Sequence, residues 1–338
     1  MIQKNFLILL ASGLFLLSSC HRDPLDVDVS NIVFEGQFVN VENIIFHADS
    51  AELMKEDARF RSDISEIYKY FRGYCLRIGD VKDTAFYNSI QMFRADTIMQ
   101  KLDESIRSSF KDMTTYEAQI SDGFRHLKYH FKKGKQPQSI VYLNSVFQSN
   151  IFCTENEIGI GLERYLGPDN YVIKNLDPSI VFQWIKDGMK SEYMVRDLFE
   201  GWIETHYMEE ADGNLAEQMI RAGRIIYLVE AGLPDMKEHL IMRYSEDQLK
   251  WAEENEYAFW KYLVDEKLLF ETNERNNTNM LKPGPTTSGL PIQGAPDRMG
   301  VYLGWKMIHS YMEQNDVSLE QMLKVPYNKI LNDYEIEE

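Results

Sequence analysis

Cysteine is nearly missing from this chain of 338 residues, which has only Cys20, Cys75 and Cys153. So few thiols exclude a disulfide-stapled scaffold and a cysteine-rich metal module. Positive charge is scarce too. There are 36 Lys and Arg against 53 Asp and Glu, a net charge of −17. That balance excludes nucleic acid as a partner and disfavours adsorption to anionic lipid heads. No apolar run is long enough to span a bilayer. The run from Phe6 to Leu17 covers about 12 residues, short of the ~20 a spanning helix needs. Tandem repeats and coiled-coil heptads are missing as well. So are a Gly-x-Ser-x-Gly elbow and a Gly-x-x-x-x-Gly-Lys phosphate loop, and Gly159-Ile160-Gly161 lacks the third glycine of a dinucleotide fingerprint.

The short apolar run is informative for what flanks it. Lys4 precedes it and Leu17-Ser18-Ser19-Cys20 ends it, the pattern of a secretory signal closing in a lipobox. Residues 1–19 are expected to be removed as a lipoprotein signal peptide and Cys20 to carry acyl chains. Two or three such chains anchor a protein stably where one would not. Residues 20–30 read as the lipidated N-terminus and a tether. Asp23, Asp26 and Asp28 make it a solvated linker, or in some envelopes an address towards the outer surface. Residues 31–338 read as one globular domain, since 44% of the chain is apolar and 12% aromatic. Cys75 and Cys153 either pair in one disulfide or stay as two buried thiols, and the reading favours thiols.

Ile32-Val33-Phe34 and Ile44-Ile45-Phe46 are short β-like runs. Helical patterns then dominate from Ala51 to about Lys132, interrupted near Gly79. Ser139 to Phe147 reads as a strand, and Ile151–Cys153 with Ile158–Leu162 as a hairpin-like pair. Asp177-Pro178 opens a helix, with proline at a tolerated first-turn position. Leu215 to Ala231 is another, stopped by Gly232 and Pro234. Ser245 with Gln248, and Ser318 with Gln321, form capping boxes. The stretch from Thr272 to Asp297 reads as a long loop of the kind that is often functional or mobile. Gly300-x-x-x-Gly304 on the following helix predicts a close helix contact. The fold class is α+β, mainly α-helical with a small central sheet.

Candidate chemistry is sparse. His126 and His130 stand at i, i+4 on one helix face, a spacing used by His-Glu-x-x-His zinc proteases. Leu127 occupies the glutamate position and no third ligand is evident, so no metal or other cofactor is expected. Glu163, Arg164 and Tyr165 end a strand, either facing a cleft or closing a hairpin with an ion pair.

Four segments together resemble the gliding-motility lipoprotein B (GldB) family. They are Phe124-Arg125-His126-Leu127-Lys128-Tyr129, Gly161-Leu162-Glu163-Arg164-Tyr165-Leu166-Gly167, Trp251-Ala252-Glu253-Glu254-Asn255-Glu256 and Ala295-Pro296-Asp297-Arg298-Met299-Gly300-Val301-Tyr302-Leu303-Gly304-Trp305. They run in order over nearly the whole chain. The resemblance implies an envelope lipoprotein of the gliding machinery, linked to type IX secretion, with envelope proteins as partners. It implies a lipid anchor in the outer membrane, on the periplasmic face rather than the surface. It also implies a zinc-protease-like (zincin-type) scaffold with its metal site lost. Arg196 and Glu200 then stand where the histidine ligands would be, and Ala222 where a glutamate ligand would be. The expected function is non-enzymatic, in assembly or in peptide and protein binding; an envelope metallopeptidase-like hydrolase is the alternative. In that scaffold the strand ending at Gly167 borders a groove lined by Glu163, Arg164 and Tyr165, with Arg298 and Tyr302 approaching from beyond the long loop.

Overall fold

The computed structural model describes residues 24–80, 83–209 and 213–336, without the side chains of Asp83, Arg275 and Asn276. Cys20 and the signal segment lie outside the described residues. The chain is mainly helical, 59%, with a small mixed sheet of four strands, as an α+β class requires. The strands are β1 (Gln37–Asn40), β2 (Ser139–Leu143), β3 (Ile151–Cys153) and β4 (Glu157–Gly161), in the order β1-β2-β4-β3. β1, β2 and β4 run parallel, and β3 closes one edge antiparallel to β4.

Period-2 alternation sends successive side chains to opposite faces of the sheet and so makes two cores. Val39, Val141 and Leu143 face the helical layer from Val41 to Ala95, where they meet Ile45, Phe60, Phe71 and Phe86. Ile140, Tyr142, Ile158 and Ile160 face the larger C-terminal helical body. Every residue of β2 is buried, as befits a central parallel strand covered on both faces.

Four helices build the second layer: α1 (Thr114–His130), α2 (Met194–Tyr207), α3 (Leu215–Gly232) and α4 (Met299–Gln314). α3 and α4 cross at Gly223 and Gly304, where each backbone sits against the other. This is the close contact that Gly300-x-x-x-Gly304 predicts. Both capping boxes form as read, at Ser245–Gln248 and Ser318–Gln321.

Several local expectations change. Ile32–Phe34 is not a strand; Phe34 stacks instead on Phe124 at 5.2 Å, and the strand begins at Gln37. Ile44–Phe46 is helical, within Val41–His47, because the Asn40 side chain caps that helix by accepting from Asn43 N at 2.9 Å. Asp177-Pro178 opens a turn, with the Asp177 carboxylate accepting from Ser179 N at 2.8 Å, and helix resumes only at Gln183–Asp187. The long loop contains a helix, Glu274–Leu281, packed against Gly300. The tether is shorter than read, since Leu25 and Val29 are already buried. Cys75 and Cys153 are both free thiols, and burial pushes each up to about 12.

Candidate functional site

The carboxyl ends of parallel strands are where open sheets place their clefts. Here β2 and β4 end in two structures that need each other. After β2 the chain passes through Val146 and Phe147, both in the left-handed region at φ 53 and 61. For a β-branched residue that is a true outlier. Glu163 holds the conformation from the turn after β4. Its fully buried carboxylate accepts from Ser145 N at 3.0 Å, from Phe147 N at 2.9 Å and from the Ser145 hydroxyl. Gly161 leaves room for this loop, because a Cβ there would collide with Ser149 O.

Beside that loop lies a cavity of about 620 Å³, within the usual size of a ligand site. Asn150 and Arg164 line it from the sheet ends. Lys190 and Arg243 line it from the segments flanking α2 and α3, and Arg298 from the start of α4. Trp184, Met189, Pro283 and Pro285 give it apolar walls. Four cations therefore face two carboxylates, Asp187 and Asp297, in a protein whose net charge is −17. Such a cleft focuses positive potential against the field of the whole molecule.

The cations are held differently. Arg298 is buried, donates from Nη2 to Met242 O at 2.9 Å and pairs with Asp297 at 3.2 Å. Arg243 donates to Gly188 O at 2.7 Å, lies 3.2 Å from Asp197 and covers the Tyr193 ring at 4.9 Å. Both arginines are left-handed, at φ 59 for Arg243 and φ 54 for Arg298, and strain of this kind clusters at sites. Arg164 has no hydrogen bond or ion pair among the described residues, and burial lowers its pKa.

Under the cleft, Arg196 is fully buried on the first turn of α2. Its Nη1 donates to Asp197 at 3.0 Å and to Glu200 at 2.6 Å. Burial alone would raise the Glu200 pKa, but the adjacent Arg196 charge outweighs it and holds the carboxyl below its usual range. Tyr165 donates to the other Asp197 oxygen at 3.0 Å. Asp197 is thus claimed by Arg196, Arg243 and Tyr165 together.

Of the five residues placed on a groove by the sequence, Arg164 and Arg298 line this cavity. The other three are corrected. Glu163 is a buried loop clamp, and Glu163–Tyr165 form a tight turn after the strand, not its end. Tyr165 supports Asp197 from below. Tyr302 is buried away from the cleft and donates to Glu256 at 2.6 Å, a carboxylate it shares with Tyr334. The groove is bordered by the loop leading into β3, not by a strand ending at Gly167. The sequence missed Arg243 and Lys190. Only the apolar periodicity around Met242-Arg243-Tyr244 bore on Arg243, and it carries no sign of a left-handed backbone.

The histidine pair is on one face of α1 as read. His126 Nδ1 lies 3.0 Å from Asp122 O, and no group of three or more His, Cys, Asp or Glu that could hold a metal occurs among the described residues. His130 is half-buried without a partner on Nε2, and burial, with His126 beside it, pushes its pKa down to about 4. Below 6.5 the unfolded chain takes up a proton that the native His130 refuses, so stability falls as pH drops from 6.5 to about 4. The slope from this one group reaches about 1.4 kcal/mol per pH unit. Urea titrations at pH 7 and 5 should show His130→Gln losing less stability than the native protein over that range. Equal losses would contradict the assignment.

The fold and cleft define an α+β protein whose cation-lined cavity covers a buried arginine–carboxylate network. The chain belongs to the gliding motility protein GldB family, whose model matches residues 22–335. No curated protein and no solved structure matches it. Membership makes this a protein associated with gliding motility, and the family is one of lipoprotein-type domains, in keeping with a lipid-anchored envelope protein. Among the described residues no helix is long and apolar enough to cross a membrane.

Proposed function

We propose that this protein is a non-enzymatic, lipid-anchored envelope component that holds an extended peptide of a partner during assembly of the gliding machinery and the type IX secretion system linked to it. Its scaffold is that of a zinc protease whose metal site is lost, with a guanidinium standing where a histidine ligand would be. Cys20 carries the anchor, in the outer membrane with the body on the periplasmic side.

The observation carrying this reading is Arg196. It stands in the stretch Val195–Glu200 that resembles a protease's metal-binding helix, and it is a permanent cation already holding Asp197 and Glu200. Zinc needs at least three free N, O or S donors, so these residues do not fit the ion. Nor is Asp197 free to activate water, with three donors upon it. Asn150, which lines the cavity, leads directly into β3. β3 is an edge strand, and its Ile151 and Cys153 lie over Gly201 of α2. An extended peptide adds to such an edge through backbone hydrogen bonds.

Metal content and turnover test this reading on protein purified without chelators. Substoichiometric zinc and no cleavage of fluorescent casein are expected. One zinc per chain, lost together with proteolysis in Glu200→Ala, would overturn it. For the anchor, Cys20→Ser should release the protein from the membrane fraction.

A further inference from the structure

Arg164 is the one cleft arginine without an engagement. Arg298 is tied to Asp297 and to the Met242 carbonyl, and Arg243 to Asp197 and the Gly188 carbonyl. Arg164 has neither an ion pair nor a hydrogen bond among the described residues, and its Nε is buried. Burial is the main influence on its charge, with the Glu163 and Asp197 carboxylates acting as opposite charges and Arg243 as a like one. Both guanidinium groups line one cavity, and Arg164, half-buried and unpaired, is left able to take an entering anion. We infer that Arg164 and Arg243 form a carboxylate subsite and that the peptide held in this cleft is gripped there by a carboxylate. This rests on the peptide-binding reading above and adds the chemical group that is recognised.

The walls select the class of anion. Two backbone donors near the cavity are used internally: Gly284 N donates to Asp297 at 3.1 Å and Met299 N to the Thr287 hydroxyl at 3.0 Å. Of the lining cations all but Lys190 are planar guanidinium groups, which match a planar carboxylate in two parallel hydrogen bonds. Asp187 and Asp297 in the same lining repel a dianion more strongly than a monoanion. The apolar faces of Trp184, Met189 and Pro285 suit the residues leading to the carboxylate. That carboxylate comes from a peptide C-terminus or from an Asp or Glu side chain.

The test uses the full mature protein in detergent micelles. The probe is a library of random hexapeptides made twice, once as free acids and once as C-terminal amides. For a terminal carboxylate, free acids bind and their amides lose about tenfold or more, as expected for a bidentate charged pair. For a side-chain carboxylate, the amides still bind, and Asp→Asn in the peptide causes that loss instead. In both cases Arg164→Gln abolishes the preference, Arg164→Lys fails to restore it in full, and the melting temperature does not fall because Arg164 holds nothing in the unliganded fold. Peptides that bind equally as acids, amides and Asn variants, and equally to Arg164→Gln, would overturn the carboxylate subsite while leaving a peptide cleft standing. If no peptide binds but inorganic phosphate does, in an Arg164-dependent way, both the subsite and the peptide reading fall.

Discussion

Gly304→Val should be among the most damaging single changes in this protein, with a loss of about 3 kcal/mol or more. A Cβ at Gly304 would fall well inside 3.0 Å of the Met219 carbonyl, and one at Gly223 equally close to the Gly304 carbonyl. Overpacking is usually relieved by a change of rotamer. Here the opposing atoms are backbone, so α3 and α4 must separate. Their separation would open the core at Met219, Ile226, Met307 and Ile308, all buried. Domains are stable by only about 5–15 kcal/mol, so the variant should melt many degrees lower or fail to accumulate. Gly73→Ala is the control, because a Cβ there meets nothing within 4 Å. It should stay within about 0.5 kcal/mol of the native protein. Thermal melts of both variants check the claim; a Gly304→Val protein as stable as the control would contradict the packing described.

Glu163→Ala should cost about 3–5 kcal/mol, since each buried donor left without a partner costs about 1–3 kcal/mol. Ser145 N and Phe147 N would both lose their acceptor. The left-handed Val146 and Phe147 would then have nothing to offset their strain. The effect has two parts that can be separated. Urea unfolding reports the stability loss. Peptide binding reports disorder at Asn150, which follows this loop into the cleft. Glu163→Gln keeps the shape and one acceptor oxygen, so it should lose less than the alanine variant. A loss below about 1 kcal/mol for Glu163→Ala would show that the loop holds itself.

What the sequence displays depends on how local the cause is. Capping boxes at Ser245 and Ser318 read correctly because the partners sit three residues away. The Leu215 helix and the β3–β4 hairpin also read correctly, for the same reason. Ile32–Phe34 misled because β-propensity describes a side chain's fit to a pleated surface, whereas pairing with Ser139–Tyr142 selected Gln37–Asn40. The helix in Glu274–Leu281 was hidden by a run of Asn and Thr, poor helix formers that tertiary packing overrides. In the site, Arg164 stood out at a strand end able to face a cleft, and Arg298 through the family resemblance. Tyr302 shared a helix with Arg298 but points to Glu256, a distinction made only by where neighbouring helices lie. Arg243 reaches the cleft through a left-handed backbone that no residue type announces.

The central claim is that the cation-lined cleft holds a partner's peptide in the living envelope. A photoreactive residue at Trp184, on the cleft wall, tests it most directly, with the same residue at exposed Tyr74 on the N-terminal helical layer as reference. Irradiation of intact cells should capture one envelope protein through a short segment at Trp184 and not at Tyr74, and Arg164→Glu should abolish the capture. Equal capture from both positions, or capture at Trp184 indifferent to Arg164→Glu, would contradict it.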